Sequence, residues 1–166
     1  MNSIFLLWAT FSLCLFSFNQ TISFAEGLSN SNSLKGVSEI KVYFDLNVGE
    51  PKKLLSRLQL IETTYSQLRE AGFSPRVVIG IRGMASYYFT KDTDYVLEQD
   101  IPDKKRIASW AEKFRAHGFA LEQCTLAAEL HEIDTTDFLP QLIIVPNGYI
   151  SMIGYQTKGY AYVPMD

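Results

Sequence analysis

One short stretch, PRVVIGI (Pro75–Ile81), most constrains what this chain can fold into. From Val77 to Ile81 it carries no polar side chain. A strand with one face in water alternates apolar and polar residues, whereas a parallel strand that is covered on both faces is apolar almost throughout. The stretch therefore predicts a central strand of a parallel sheet with helices on both sides.

Strand and helix patterns alternate along the rest of the chain. Leu54, Leu58 and Ile61 recur at helical spacing between Pro51, a residue typical of a first helical turn, and Gly72, a typical helix stop. We predict strands over 39–46, 75–81, 119–123, 141–146 and 160–163, and helices over 51–71, 82–90, 104–118, 124–130 and 147–159. This alternation predicts an α/β fold: a three-layer α/β/α sandwich with a mainly parallel sheet of about five strands.

The N-terminal region has a different composition from the rest. Ile4–Phe18 is an uncharged apolar run of 15 residues, shorter than the roughly 20 that a membrane-spanning helix needs. Ser23 and Ala25 supply the small residues of a cleavage site, so we predict a secretory signal peptide over 1–25, secretion across the inner membrane and a final location in the periplasm. An uncleaved anchor is the less favoured alternative. Residues 26–38 are polar and without periodicity, which predicts a flexible lead-in to one domain over 39–166.

Cleavage would remove Cys14 and leave Cys124 as the sole cysteine. A single cysteine cannot form an internal disulfide, so Cys124 is either buried or a free thiol. It falls where a predicted strand meets a predicted helix, and a helix N-terminus favours the thiolate. Cysteine also packs readily as a small apolar residue, and both interpretations stay open. The formal net charge of −3 argues against nucleic-acid binding.

Ligands of parallel α/β sheets bind beyond the carboxyl ends of the strands. The side chains expected there, besides Asp45 and Cys124, give four candidate binding residues: Asn47, Arg82, Thr125 and Gly148. Arg82 could hold an anion beside a thiolate, but a solvated loop charge is the favoured interpretation. Asp45 is interpreted as a helix cap or loop anchor rather than a phosphate acceptor.

Other chemistry finds little support. The two histidines, His117 and His131, are too few for a convincing metal site, and seven residues separate His131 from Cys124, which is too far for a direct base. No dinucleotide-binding loop or Walker loop is present. We therefore expect neither a metal nor another cofactor.

Three segments together resemble the DsrE/DsrF-like family of sulfur-relay proteins: KVYFDLNVGEPKKLL, FALEQCTLAAEL and LPQLIIVPNGYISMIGYQTKGYAYV. The last is the most specific, with an apolar strand, Pro-x-Gly, a helix and then Lys-Gly-Tyr-x-Tyr. The resemblance extends over roughly residues 41–163. Well-understood relay members work in the cytoplasm, so a signal peptide would set this chain apart from them.

The resemblance implies a small α/β protein that assembles into trimers or hexamers. It also implies that Cys124 accepts sulfur as a persulfide from a donor protein and passes it to an acceptor protein, so that the chain acts as a sulfurtransferase-type carrier. Two alternatives remain: an exported oligomeric binding protein whose cysteine only packs, and a thiol redox sensor. The tyrosines near the C-terminus suit an interface between copies, since tyrosine is enriched at interfaces. They also suit a simple cover over the sheet.

Overall fold

The computed structural model describes residues 29–166. The predicted signal peptide, residues 1–25, lies outside the described residues. The chain divides into two units, Met1–Gly36 and Val37–Asp166. The described part of the first unit contains one helical turn, α1 (Ser31–Leu34), within the predicted lead-in.

The second unit alternates strands and helices, as the sequence predicts. In chain order its elements are β1 (Lys41–Leu46), α2 (Pro51–Glu70), β2 (Arg76–Ile81), a 3₁₀ helix (Gly83–Phe89), a 3₁₀ turn (Glu98–Asp100), α3 (Ile101–Ala116), β3 (Ala120–Cys124), α4 (Thr125–Leu130), a 3₁₀ turn (Thr135–Asp137), β4 (Ile143–Val145), α5 (Gly148–Thr157) and β5 (Ala161–Pro164). All five strands run parallel in the order β4-β3-β2-β1-β5. The predicted α/β fold is confirmed.

Helices cover both faces of the sheet, and this makes the three layers. Helices α2 and α3 bury their apolar stripes against one face, where Phe44 and Ile79 are almost fully covered. Helix α5 crosses the opposite face from β4, at one edge, to β5, at the other, and touches β3, β2 and β1 on the way. The residues of β1 and β3 that point to this second face include two buried carboxylates, Asp45 and Glu122.

Helix α2 shows how local sequence sets the element boundaries. The Glu50 carboxylate accepts hydrogen bonds from the backbone N–H groups of Lys52 and Lys53, which satisfies donors that a helix start leaves free. Pro51 needs no such partner. At the other end Gly72 takes a φ of +90°, which glycine adopts without a steric penalty. Helix α2 therefore begins and ends near the predicted residues.

Two predicted helices differ from the observed ones. The helix expected from Lys104 begins earlier, at Ile101, with Pro102 and Asp103 in its first turn. This start places an acidic residue, rather than three basic ones, at the positive end of the helix dipole. The short helix expected over 82–90 is a 3₁₀ helix. Among residues 29–166, no helix combines the length and the apolar character that crossing a membrane requires.

Candidate functional site

Cys124 lies at the carboxyl end of β3, as the sequence predicts, and is the residue immediately before α4. It pairs with Val145 of the neighbouring strand β4. The chain leaves β4 through Pro146 and Asn147 and enters α5 at Gly148. The first turn of α5 therefore returns to the strand end that carries the cysteine.

Gly148 is in direct contact with the thiol. Its backbone N–H donates a hydrogen bond to Cys124 Sγ, with a nitrogen–sulfur distance of 3.2 Å. A methyl group added at Gly148 would lie 3.0 Å from Cys124 Cβ and 3.3 Å from Sγ, closer than almost all such contacts, so a side chain here would require a small shift of its neighbours. The contact buries the cysteine, which is 2% exposed. The structure thus brings two of the predicted site residues together, Cys124 and Gly148.

The other N–H groups of this first turn are also satisfied. The Asn147 side chain caps α5 and accepts from the N–H of Tyr149. The Asn147 carbonyl accepts from the N–H groups of Ile150 and Ser151. The sulfur of Cys124 therefore takes the place that an anion or water would take at the start of this helix.

Arg82, the second predicted binding residue, follows β2 and turns toward β1. Its Nε and Nη2 donate to the two carboxylate oxygens of Asp45, each at 2.7 Å. Asp45 is 2% exposed, and this bidentate pair raises the pKa of the Arg82 guanidinium, above all through the hydrogen bonds to Asp45. Arg82 is therefore not the solvated loop charge that the sequence favoured. Asp45 caps no helix among the described residues, and it holds Arg82, which directly follows β2, through this ion pair.

Two aromatic residues complete the environment of this ion pair. The Tyr162 hydroxyl of β5 donates to Asp45 Oδ2 at 2.7 Å, and this hydrogen bond raises the pKa of Tyr162. The ring of Tyr149, in the first turn of α5, lies under the Arg82 guanidinium, with 5.3 Å from its carbon to the ring centroid. Asp45 thus anchors Arg82 on the sheet, and Arg82 in turn contacts the helix that covers Cys124.

The remaining candidates take no direct part in this arrangement. Asn47 packs against Gly83, which has a φ of +57°. Thr125 is partly exposed, and in the described part of the chain no hydrogen bond joins its hydroxyl to Cys124. His131 lies 3.2 Å from the Tyr87 hydroxyl, and His117 pairs with Glu62. Within residues 29–166 no cluster of His, Cys, Asp and Glu is arranged to hold a metal ion.

Sequence reasoning missed a second polar pair beneath α5. Glu122, two residues before Cys124 on β3, is 8% exposed and accepts a hydrogen bond from the Tyr155 hydroxyl at 2.7 Å. Burial, followed by this hydrogen bond, raises the pKa of Tyr155. The sequence does contain a signal for such pairs, because Asp45 and Glu122 are charged residues within apolar strand patterns. A buried charge requires a partner.

Comparison with known proteins adds support for the fold. No family model matches the chain. An uncharacterized protein of Aquifex aeolicus (strain VF5) is 30% identical over 128 residues, which is 76% of this chain and 56% of the relative. The chain thus spans little more than half the length of that relative. A solved structure of a protein of unknown function from Methanobacterium thermoautotrophicum is similar with a TM-score of 0.61 and 17% identity, over 76% of this chain and 99% of the other. This likeness supports the three-layer α/β architecture.

Proposed function

We propose that the protein is a sulfur carrier of the DsrE/DsrF-like kind, and that Cys124 holds the sulfur as a persulfide. The observation that carries the proposal is the hydrogen bond from the Gly148 N–H to Cys124 Sγ. It places the sulfur at the first turn of α5, where a backbone N–H group of the helix start points at it. A free thiolate is the form that attacks a sulfur donor.

The transfer needs no external oxidant. The Cys124 thiolate attacks the outer sulfur of a donor persulfide, R–S–SH, and a new S–S bond forms at Cys124 as the S–S bond of the donor breaks. The electron pair of the broken bond leaves with the donor as its thiolate, and the proton stays on the transferred sulfur. The same step in the opposite direction delivers the sulfur to an acceptor thiolate.

The test is the intact mass of the purified protein after incubation with a persulfide donor. We expect a gain of about 32 Da, one sulfur atom, that dithiothreitol removes. The Cys124→Ser variant should show no gain, while Cys14→Ser, which leaves the proposed site unchanged, should gain the same mass as the wild type. A wild-type protein that takes up no sulfur, or an equal gain in Cys124→Ser, contradicts the proposal.

A second function is favoured by a different observation. Cys124 is 2% exposed, which suits the alternative in which the cysteine only packs and the protein is an exported oligomeric binding protein. The two differ in how the native thiol reacts. In the binding protein, iodoacetamide would label Cys124 only after global unfolding, whereas in the carrier it would label the native state slowly but measurably.

We further propose that the chain assembles into a trimer or hexamer, in which a second copy of the chain packs against the edge of the sheet formed by β4. From Pro140 to Thr157 the sequence carries no charged side chain. Five large apolar side chains of this segment are exposed: Ile143 and Ile144 on β4, and Tyr149, Ile150 and Ile153 on α5. An apolar surface without charges can be buried against a second copy of itself without removing any charge from water. Strand β4 lies at the edge of the sheet, so its outer backbone groups can pair with a strand of that second copy.

Light scattering tests the assembly. The wild type should be larger than a monomer at micromolar concentration, and Ile150→Asp combined with Ile153→Asp should reduce it to the monomer. Leu97→Asp is the matched control, because Leu97 is comparably exposed but lies outside this segment. A monomeric wild type, or an effect of Leu97→Asp equal to that of the double variant, contradicts this interface.

Export to the periplasm is proposed from the first 25 residues alone. Sequencing of the N-terminus of the protein recovered from its own host should begin near Glu26, and the protein should leave the cells on osmotic shock. Ala25→Arg should block the cleavage, because the site requires a small residue there. A protein that retains Met1 in the membrane fraction would show an uncleaved anchor instead.

A further inference from the structure

The start of α5 contacts Cys124 and is connected to the sheet at a second point. Gly148 touches the thiol, and its neighbour Tyr149 lies under the guanidinium of Arg82. Arg82 is in turn fixed by two hydrogen bonds to Asp45, a residue that is almost completely buried in β1. The Arg82–Tyr149 contact therefore links the helix that covers the cysteine to a rigid point in the sheet.

Access to the sulfur depends on this first turn. Cys124 is 2% exposed, and Gly148 approaches it so closely that a methyl group added at Gly148 would lie 3.3 Å from the sulfur. For transfer, Cys124 Sγ must approach the outer sulfur of the donor in line with the S–S bond that breaks. The contact between Gly148 and Sγ therefore has to open first. Tyr149 itself is 53% exposed, so its ring is free to leave Arg82 without disturbing the core.

We infer that Arg82 is a positioning residue, which through Tyr149 holds the first turn of α5 closed over Cys124. When the guanidinium and the ring separate, Gly148 moves away and the thiol is exposed to a partner. The functional role of this opening rests on the proposed sulfur transfer, but the closure itself is measured without any sulfur donor. A cation over an aromatic face is a modest attraction, which suits a contact that opens and closes in the folded state.

The test is the rate at which iodoacetamide labels Cys124 in the folded full-length protein, followed by the mass of the peptide that contains it. Tyr149→Leu keeps an apolar side chain but removes the ring, and we expect it to label roughly threefold to tenfold faster. Tyr149→Phe keeps the ring face and should label near the wild-type rate. Leu97→Ala changes a side chain that is also open to solvent, 66% exposed against 53% for Tyr149, but lies outside this turn and outside the proposed interface, and it should also have no effect.

Urea separates local opening from general destabilisation. At low urea concentrations the labelling of Tyr149→Leu should change little with the concentration, because local opening exposes little surface. The inference is wrong if Tyr149→Leu labels at the wild-type rate, if Leu97→Ala accelerates labelling equally, or if the acceleration follows the global free energy of unfolding.

A measurement on the wild type keeps the inference testable if a variant does not fold. The Gly148 amide hydrogen should exchange with solvent faster than the amides of β2, through an opening that is smaller than global unfolding. Exchange of Gly148 only by global unfolding would overturn the inference. A protein that opens in this way but takes up no sulfur would contradict the proposed function and leave the closure standing.

Discussion

Gly148 donates its backbone N–H to Cys124 Sγ across 3.2 Å, and it does so from a position where an added methyl group would lie 3.0 Å from Cys124 Cβ. The pair joins two elements that are 24 residues apart in the chain, the end of β3 and the start of α5. Because the same contact both stabilises the sulfur and covers it, a change at either residue should alter stability and reactivity together.

Substitution of Gly148 by alanine tests this contact directly. The added methyl would lie 3.0 Å from Cys124 Cβ, so the helix must shift, and we expect a loss of about 1–3 kcal/mol in the free energy of unfolding. Urea denaturation measures the loss. In a Cys124→Ala background the penalty of Gly148→Ala should shrink only in part, because the sulfur 3.3 Å away is gone while Cβ at 3.0 Å remains.

Gly154 provides the matched control on the same helix. A methyl group added there meets no atom within 4 Å, so Gly154→Ala should leave stability unchanged or raise it by about 0.5–1 kcal/mol through helix propensity. Equal penalties at Gly148 and Gly154 would show that the close approach to Cys124 has no energetic consequence.

The ion pair between Asp45 and Arg82 should be far more sensitive than the exposed pairs. Asp45→Asn removes the charge that neutralises a largely covered guanidinium, and breaking a buried pair in this way costs about 3–5 kcal/mol. Arg82 is 22% exposed, which reduces the expected loss toward the lower end. Thermal and urea denaturation give the value.

Asp103→Asn is the control for that variant, since it removes a carboxylate whose partner, Arg106, is 68% exposed. Pairs of that kind contribute about 0–1 kcal/mol. If the two asparagine variants lose the same stability, the burial of Asp45 is not what makes its pair important.

The sequence predicted the architecture because the fold depends on periodic patterns that are local. The apolar run ending at Ile81 and the helical spacing of Leu54, Leu58 and Ile61 each specify an element without reference to distant residues. The placement of Cys124 at a strand end followed from the same reasoning, because the strand and the helix that meet there are both visible in the sequence.

The partners within the site could not be predicted, because they depend on how distant strands align. The link from Asp45 to Arg82 spans 37 residues, and that from Asp45 to Tyr162 spans 117. The sequence marked Arg82 as charged but gave no sign that its counter-charge stood on the adjacent strand. The close approach of Gly148 to the sulfur likewise becomes visible only once the β4–α5 turn is folded.

The hydrogen bond from the Tyr155 hydroxyl to Glu122 should contribute to the stability of the fold. Glu122 Oε1 accepts from Tyr155, and its other oxygen is buried without a partner among the described residues. Tyr155→Phe would leave both oxygens unpaired, so we expect a loss of about 1–3 kcal/mol by urea denaturation. Adding Glu122→Leu should restore part of it, because an apolar pair needs no hydrogen bond.

Tyr160→Phe is the matched control for that prediction. The Tyr160 ring packs edge-on against Tyr155 at 4.9 Å, and in the described part of the chain its hydroxyl forms no hydrogen bond to another residue. It should therefore lose less than about 0.5 kcal/mol, in the range of a surface substitution. A loss at Tyr160 as large as that at Tyr155 would show that the cost at Tyr155 does not come from its hydrogen bond to Glu122.

Lys104 gives the protein a stability that rises with pH. Its amino group is 3% exposed and donates to the Tyr87 carbonyl at 2.7 Å and to the Thr90 hydroxyl. Burial lowers its pKa to about 8, against about 10.4 in an unfolded chain. Between these values the unfolded state binds more protons than the folded state, so the free energy of unfolding increases as pH rises.

From pH 8 to 9.5 this gain should be about 1.5 kcal/mol, measured by urea denaturation at several pH values. The range stops there because buried tyrosines act oppositely: burial raises the pKa of Tyr43 and Tyr155, so above about pH 10 the unfolded state loses protons first and stability falls. Lys104→Met should abolish the rise between pH 8 and 9.5. Lys105→Met, at the exposed neighbouring position, should retain it, and a rise that survives in Lys104→Met would assign the pH dependence to another group.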